Sequence, residues 1–158
     1  AKKQGYEQVA AIFLDTADNE KEHAKVLFKL LEGGEAYVSA SFPAGVIAST
    51  AANLQESANG EKHEYAEMYP SFAEVAKKEG FSEIAETFLN IARAEMGHEK
   101  RFLTLKKNID EGAVFKRGDK VVWRCRNCGY MHEGNEAPSE CPACKHEQAY
   151  FEVFGEVY

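Results

Sequence analysis

The sequence predicts a mainly α-helical protein in which a helical bundle precedes a small β-rich metal-binding domain. Three observations lead to this fold class: long stretches of helical periodicity, acidic and histidine residues inside the apolar stripes of those helices, and two Cys-x-x-Cys pairs towards the carboxyl end. The chain has 158 residues, of which 44% are hydrophobic, enough for one core and a small appendage. The predicted domains are residues 1–112 and residues 113–158.

The charge balance and the uncharged segments exclude two classes of partner. The chain carries 19 Lys and Arg against 26 Asp and Glu, a net charge of -7, which provides no basic face for a nucleic acid. The longest uncharged window, residues 36–55, contains Pro43 and Gly45 and is a poor candidate for a membrane span. No secretory signal opens the sequence, so we expect a cytoplasmic protein. In that reducing compartment, clustered thiols are more often metal ligands than disulfides.

An internal repeat relates the two ends of the helical region. Residues 1–10 (AKKQGYEQVA) resemble residues 76–85 (AKKEGFSEIA), which shows that a long helical segment is duplicated. The match continues through two polar pairs, Glu20 with Glu95 and His23 with His98. In the second copy, the stretch ending at Gly80 closes a preceding helix. Residues 1–5 are therefore expected to be the tail of a helix whose body lies outside this sequence.

The first helix is predicted from Gly5 to about Glu32. Its stripe positions recur at alternating spacings of four and three, as in one face of a bundle helix. Gly33 and Gly34 supply the stop signal. Residues 35–42 are too many for a tight turn and favour a crossover connection. The stripe comprises Val9, Phe13, Thr16, Glu20, His23, Leu27 and Leu30.

Two further helices follow in the prediction. The second runs from near Pro43 to about Lys78, with a bend at Pro70. The third is capped by Ser82 and closes at Gly112. The stripe of the second helix is Ile47, Thr50, Leu54, Ser57, Glu61, Glu64, Met68, Phe72 and Val75. The stripe of the third is Ile84, Phe88, Ile91, Glu95, His98, Phe102, Leu105 and Ile109.

Six polar residues occupy stripe positions where a core should be apolar: Glu20, His23, Glu61, Glu64, Glu95 and His98. An unpaired buried carboxylate costs several kcal/mol, so these groups need a common partner. Residues three positions apart share a helix face and differ by about 4.5 Å of rise, so both can reach one ion or two adjacent ions. Four carboxylates balance two divalent cations, whereas a single zinc would leave surplus negative charge. The pattern predicts a carboxylate-bridged di-iron or di-manganese site.

Other polar residues receive a simpler interpretation. A lone Glu-x-x-His is usually solvated, and only the repetition in register makes these pairs candidate ligands. The off-stripe charges are predicted to form a solvated face: Lys21, Glu22, Lys25, Glu99 and Lys100. Three histidines are expected at the surface rather than at a metal: His63, His132 and His146. For Tyr65 and Tyr69, core packing is the default, and the alternative is a hydrogen bond from one phenol to a ligating carboxylate.

The second predicted metal site lies in the carboxyl-terminal domain. Its candidate ligands form two identically spaced pairs, Cys125 with Cys128 and Cys141 with Cys144. Four thiolates from two such turns suit tetrahedral Zn²⁺ and a single iron equally well, so the metal stays open here. The domain has about forty residues, too few for a self-sufficient apolar core, so we expect a bound metal to stabilise it.

Taken together, these motifs resemble the rubrerythrin family over essentially the whole chain. The residues that carry the resemblance are Thr16–Lys25, Ser41–Gly45, Gly60–Tyr65 with Met68–Pro70, Ala94–Phe102, Cys125–Tyr130 and Cys141–Cys144. The resemblance implies a ferritin-like four-helix bundle with a di-iron site, a rubredoxin-like Cys₄ iron domain, homodimerisation and reduction of hydrogen peroxide. One departure is that the first helix of the family, with its ligating Glu, has no counterpart here. That segment is expected as a separate piece, from another subunit, or in a longer chain.

The resemblance also implies roles for individual residues. Glu20, Glu61, Glu95 and His98 would hold the iron pair, and Glu64 and His23 would be alternative ligands of one iron in the oxidised and reduced states. The Cys₄ iron would return electrons supplied by an NADH-linked reductase or a rubredoxin. Two alternatives remain: a ferritin-like protein that oxidises and stores iron, and a structural module with a zinc ribbon.

Overall fold

The computed structural model describes residues 1–40 and 45–155. The predicted helix start at Pro43 lies outside the described residues. Two compact units are present, Thr16–Thr104 and the combination of Ala1–Asp15 with Leu105–Tyr158. The helices are α1 (Glu7–Phe28), α2 (Thr50–His63), α3 (Tyr69–Lys78) and α4 (Ser82–Asp110), and the strands are β1 (Lys116–Cys125), β2 (Met131–Glu136) and β3 (Phe151–Val153). Within the described ranges, every helix is too short or too polar to cross a membrane.

Helix α1 is shorter than predicted at its carboxyl end. It ends at Phe28 instead of about Glu32, and the amides of Leu30 and Leu31 turn back to carbonyls three residues earlier at 3.1 and 3.2 Å. Both leucines are exposed, so no burial of apolar surface supports a further helical turn. The predicted helix tail before α1 is a short 3₁₀ turn over Lys2–Gln4. Gly5 ends this turn with φ of 78°, a conformation that favours glycine.

Helix α2 begins later than predicted. Residues 45–49 are not helical, and Ser49 caps the helix by accepting a hydrogen bond from the Ala52 amide at 3.3 Å. The predicted stripe position Ile47 precedes this cap and is 91% exposed, so its predicted burial was wrong.

A π-helical segment, Glu64–Met68, separates α2 from α3. The Tyr69 amide donates to the Glu64 carbonyl, which is the wider spacing of a π-helix. Pro70 then lies in the first turn of α3, where the missing amide hydrogen costs least. The sequence predicted one helix up to Lys78 with a bend at Pro70. In the structure, the π-helical segment interrupts this helix and ends at Met68, two residues before Pro70.

Helix α4 follows the prediction closely. It begins at Ser82 and ends at Asp110, and Gly112 follows it with φ of 62°. The apolar stripe of the helix is buried at Ile91, Phe102 and Leu105. The core of this helical unit also contains Leu54, Ala58, Tyr69, Ala73, Ala76, Ala85 and Ala92. Two predicted core positions in α3, Phe72 and Val75, are instead 44% and 52% exposed.

The carboxyl-terminal part of the chain contains a three-stranded antiparallel sheet in the order β2-β1-β3. Trp123 on the central strand pairs with His132 on one side and Val153 on the other. Its ring is fully buried, and its Nε1 atom donates to the Gly134 carbonyl at 3.0 Å. The apolar cluster around it consists of Trp123, Cys125, Ala137, Cys141 and Phe151. Two of its five members are cysteines, so the core and the predicted metal site are contiguous.

Candidate functional site

Three helices bring four predicted ligands together in the helical unit. Helix α1 supplies Glu20, α2 supplies Glu61, and α4 supplies Glu95 and His98. Potential ligand atoms of these four side chains all lie within 4.8 Å of one another. Glu95 is 0% exposed, Glu61 8% and His98 7%. The Glu20 side chain is 39% exposed, so the cluster is an acidic site in the helical core with one member reaching the surface.

The two predicted histidines face the same carboxylates through Nδ1. His98 Nδ1 lies 2.9 Å from Glu95, 3.1 Å from Glu20 and 3.5 Å from Glu61. His23 Nδ1 lies 3.1 Å from Glu20 and 3.0 Å from Glu95. The imidazole rings stack with centroids 6.0 Å apart. The Glu20 and His23 pair thus lies next to the Glu95 and His98 pair, its counterpart in the repeat.

Glu64 completes the set of six predicted residues. It is the first residue of the π-helical segment and is half-buried. Burial and the charge of Glu20 raise the pKa of the Glu64 carboxyl, while His23 opposes this. Glu64 therefore shares an electrostatic environment with the pair on α1, although it lies outside the group of four.

Burial and mutual repulsion favour the protonated form of two carboxyl groups, those of Glu61 and Glu95, in the metal-free chain. Burial, together with the charges of Glu20 and Glu64, raises the pKa of Glu61 to about 8. Burial, together with Glu20 and Glu61, raises the pKa of Glu95 to about 9. Burial lowers the pKa of His98, although Glu20 opposes the change. Cations in the site would favour ionised carboxylates, and they would bind the neutral form of His98 that burial already favours.

The donor set fits a pair of divalent metal ions. In the described part of the chain, several buried atoms approach one another closely but have no partner in hydrogen-bonding geometry: Glu20 Oε1, Glu61 Oε2, both carboxylate oxygens of Glu95, and His98 Nδ1. Buried polar atoms are normally satisfied, so these atoms point to an absent partner. Carboxylate oxygens with imidazole nitrogens suit iron or manganese, and helical bundles hold such pairs between facing helices.

Two contacts around the cluster were not predicted. Asn19 Oδ1 lies 3.2 Å from His98 Nε2, the nitrogen opposite the cluster. Arg101 Nη2 donates to Thr16 Oγ1 at 2.7 Å. Asn19 adjoins Glu20, and Arg101 follows His98 by one helical turn. Proximity to the ligands along each helix was the available signal, but it does not specify which side chains meet across two helices.

The interpretation of Glu99 as part of a solvated face was wrong. Its side chain is half-buried and accepts a hydrogen bond from the Tyr65 hydroxyl at 3.0 Å. The remaining charges of that face are exposed as predicted: Lys21, Glu22, Lys25 and Lys100. The hydrogen bond from Tyr65 thus reaches the neighbour of His98 instead of one of the six candidate ligands. Tyr69 packs in the core with Ile91 and Ala92, as the default predicted.

In the described residues, neither cluster of candidate ligand atoms includes His63, His132 or His146. The His63 side chain is 59% exposed and lies 3.3 Å from Glu67. His132 is half-buried on β2. His146 is half-buried, and its Nδ1 contacts the Cys144 carbonyl at 3.1 Å.

The four cysteines form a second compact cluster, with all four sulfur atoms within 4.8 Å of one another and no disulfide. Cys125 and Cys144 are 3.7 Å apart, and Cys128 and Cys141 are 3.6 Å apart. A tetrahedral site with metal–sulfur bonds of about 2.3 Å has sulfur–sulfur edges of about 3.8 Å. The thiols are thus placed as the four corners of a metal site.

Local backbone geometry explains this placement. The Gly129 amide donates to the Cys125 carbonyl and the Lys145 amide to the Cys141 carbonyl, both across five-residue turns. Each turn ends in a left-handed residue, with φ of 81° at Gly129 and 61° at Lys145. Burial raises the pKa of the Cys125 thiol. A bound cation would offset this cost and favour the thiolates.

These features define the class of protein: a helical di-iron carboxylate protein with an additional Cys₄ metal unit. The model of the Rubrerythrin family matches residues 1–106, and the model described as "Rubrerythrin, rubredoxin-like domain" matches residues 123–152. The chain belongs to the rubrerythrin family, an oxidoreductase family whose members carry a di-iron site and a rubredoxin-like Cys₄ site.

Relatives and solved structures agree with this assignment. The chain is 60% identical to rubrerythrin of Nitratidesulfovibrio vulgaris over 155 residues, 98% of this chain and 81% of that protein. It is 54% identical to rubrerythrin of Porphyromonas gingivalis, across 96% of this chain and 76% of that protein. The structure of fully reduced, all-ferrous nigerythrin matches with a TM-score of 0.62 and 34% identity, covering 98% of this chain and 74% of the other. The predicted ferritin-like and rubredoxin-like folds are confirmed.

Proposed function

We propose that this protein reduces hydrogen peroxide to water at the carboxylate and histidine cluster, using electrons relayed through the Cys₄ site. The observation that carries the proposal is the presence in one chain of a buried acidic cluster with unsatisfied donor atoms and a Cys₄ site. The overall reaction consumes one peroxide, two electrons and two protons and yields two water molecules. A pair of ferrous ions, when bound there, would supply the two electrons.

The residues of the chain have separate tasks in this reaction. Glu20, Glu61, Glu95 and His98 would hold the metal pair. Glu64 and His23 would be alternative ligands for one iron, Glu64 in the oxidised state and His23 in the reduced state, because an anionic oxygen donor favours the more highly charged ferric ion. When His23 is the ligand, the half-buried Glu64 carboxyl would be free to exchange a proton with the leaving oxygen, directly or through water.

The Cys₄ site is assigned to electron entry. Its cluster includes the exposed Cys128 beside three more buried thiols, so one edge of a bound iron would be accessible to a donor protein. We propose an NADH-linked reductase or a rubredoxin as that donor, and a cytoplasmic homodimer as the working form. We also propose that the boundary between the two domains lies between residues 112 and 113.

A stoichiometric oxidation tests the peroxidase assignment. The anaerobic, ferrous-loaded chain is titrated with hydrogen peroxide while ferric absorbance and residual peroxide are recorded. We expect two irons of the acidic cluster to be oxidised per peroxide consumed, and the Glu61→Ala variant to lose this reaction. Glu67→Ala is the matched control, because the Glu67 side chain is 74% exposed and lies in the following π-helical segment. Oxidation at the same rate in Glu61→Ala would contradict the assignment.

Metal content and turnover separate the two rival functions. About three irons per chain, two in the carboxylate site and one at the Cys₄ site, support the enzyme. The relay predicts that a chain with zinc at the Cys₄ site and iron in the helices still oxidises once but does not turn over with an external reductant. Sustained turnover in the zinc-substituted chain would contradict the relay. Continued uptake of excess ferrous iron as a mineral would favour storage.

A further inference from the structure

A side-chain contact one helical turn from the metal cluster links α1 to α4. Arg101 follows His98 by three positions, so both side chains leave the same face of α4. Thr16 precedes Glu20 by four positions and therefore shares its face of α1. Arg101 Nη2 donates to Thr16 Oγ1 at 2.7 Å, and His98 Nδ1 lies 3.1 Å from Glu20 Oε1. The two contacts therefore join the same two helices, α1 and α4, at positions one helical turn apart.

Because Thr16 is buried, its contact with Arg101 holds the guanidinium group at a defined position. Thr16 is 5% exposed, although its hydroxyl stands in a stripe that is otherwise apolar before Glu20. A buried hydroxyl needs a partner, and Arg101 is one. The guanidinium group is planar and remains charged at any relevant pH, so the bond to Thr16 fixes both a direction and a positive charge.

The charge of Arg101 lies close to two residues of the cluster. Arg101 is three positions from His98 on α4, about 4.5 Å of helical rise. Its partner Thr16 is one helical turn from Glu20 on α1. A cation held at this position acts on any charge that develops in the cluster.

We propose that Arg101, oriented by Thr16, is a positioning residue that raises the reduction potential of the di-iron pair. The proposal rests on the ligand assignment made for the proposed function. Oxidation of two ferrous ions to two ferric ions adds two positive charges to the cluster. A fixed neighbouring cation disfavours that change and therefore favours the reduced state. Arg101 thus makes re-reduction by a one-electron donor easier after each peroxide.

The test is a redox titration of the iron-loaded full chain. Arg101→Gln should shift the midpoint potential of the di-iron pair to a lower value, and Arg101→Lys should keep most of the original potential. Thr16→Val, which keeps the arginine but removes its acceptor, should give a smaller shift in the same direction. Lys100→Gln is the matched control, because it removes one positive charge from an exposed neighbouring position on α4 and should leave the potential unchanged.

Ferrous affinity provides a readout that does not depend on turnover. Loss of a neighbouring positive charge removes repulsion, so Arg101→Gln should bind ferrous iron at least as tightly as the parent chain. A merely structural role for Arg101 predicts weaker binding, and that result would overturn the proposal. An unchanged potential in Arg101→Gln, or an equal shift in Lys100→Gln, would also overturn it.

If Arg101→Gln does not fold, as judged by helical circular dichroism, Thr16→Val decides, and an unchanged potential in that variant overturns the inference.

Two further outcomes distinguish this inference from the proposed function. If iron binds and peroxide is reduced while the potentials of the variants stay constant, only the role of Arg101 is wrong. If the variants shift the potential as expected but peroxide is not reduced, only the peroxidase assignment is wrong.

Discussion

The Nε2 atom of His98 lies 3.2 Å from Asn19 Oδ1, while its Nδ1 atom faces three carboxylates of the cluster. An amide oxygen accepts hydrogen bonds and cannot donate them, so this pairing favours the tautomer with hydrogen on Nε2. The lone pair is then on Nδ1, the nitrogen that faces Glu20, Glu61 and Glu95. Asn19 thus selects the form of His98 that can act as a ligand, as groups behind metal-binding histidines commonly do.

The Asn19→Ala variant should bind ferrous iron at the helical site about 10- to 100-fold more weakly, the usual cost of losing such a partner. Competition with a chelator under anaerobic conditions measures the affinity. Asn90→Ala is a suitable control, because Asn90 is exposed on α4 and contacts Arg93. Equal affinity in the parent chain and in Asn19→Ala would show that His98 is oriented without Asn19.

The metal-free chain should become less stable as the pH rises from about 5 to about 9. The pKa of Glu61 is raised to about 8 and that of Glu95 to about 9, from an ordinary value of 4.5. Between these values the folded chain binds more protons than the unfolded chain, so stability falls with increasing pH. Thermal unfolding across this range measures the slope.

Two variants control this pH dependence. Glu61→Gln removes one of the raised carboxyl groups and should flatten the slope, whereas Glu67→Gln alters an exposed carboxylate and should leave it unchanged. Saturating metal should reverse the trend, because metal binding requires the deprotonated carboxylates and releases their protons. A metal-free chain whose Tm stays constant or rises from pH 5 to 9 would contradict the assigned shifts.

The central part of the site was accessible from sequence because ionisable residues in an apolar stripe are costly and therefore informative. Glu95 and His98 are buried at positions that helical periodicity assigns to the core of α4. The same periodicity failed at Ile47 and Phe72, which are exposed. Periodicity identifies one face of a helix, but it does not show whether another element covers that face.

Boundaries and cross-helix contacts were less accessible for a different reason. Pro43 and Ser49 are both acceptable starts for α2, and the hydrogen bond from the Ala52 amide to Ser49 decides between them. The contact between Arg101 and Thr16 depends on how closely α1 and α4 approach and on the rotamers of both side chains. Neither quantity is encoded in spacing along one helix.

The fluorescence of Trp123 should report metal binding at the Cys₄ site. Trp123 is the single tryptophan of the chain, is 0% exposed and packs in a cluster that includes Cys125 and Cys141. Removal of the metal leaves these buried thiols without the ion that holds them, and a sheet this small then loses its main staple. We expect a red shift of the emission on chelation and its reversal on adding zinc.

The control is Glu61→Ala, which should show the same response, because Glu61 belongs to the helical site. An unchanged spectrum after complete metal removal would show that the sheet is stable without metal.

The hydrogen bond from Tyr65 to Glu99 should stabilise the junction between the π-helical segment and α4. Both residues adjoin candidate ligands, Glu64 and His98, and the hydroxyl-to-carboxylate distance is 3.0 Å. Tyr65→Phe should therefore lower the free energy of unfolding, because the Glu99 carboxylate loses this hydrogen-bond donor. Chemical denaturation of the metal-free chain measures the change without interference from metal binding.

Tyr37→Phe removes a hydroxyl from a residue that is 94% exposed and should have almost no effect. If Glu99→Ala costs stability and Tyr65→Phe costs nothing in addition when combined with it, the two changes act through the same bond. Full additivity would mean that each side chain contributes independently.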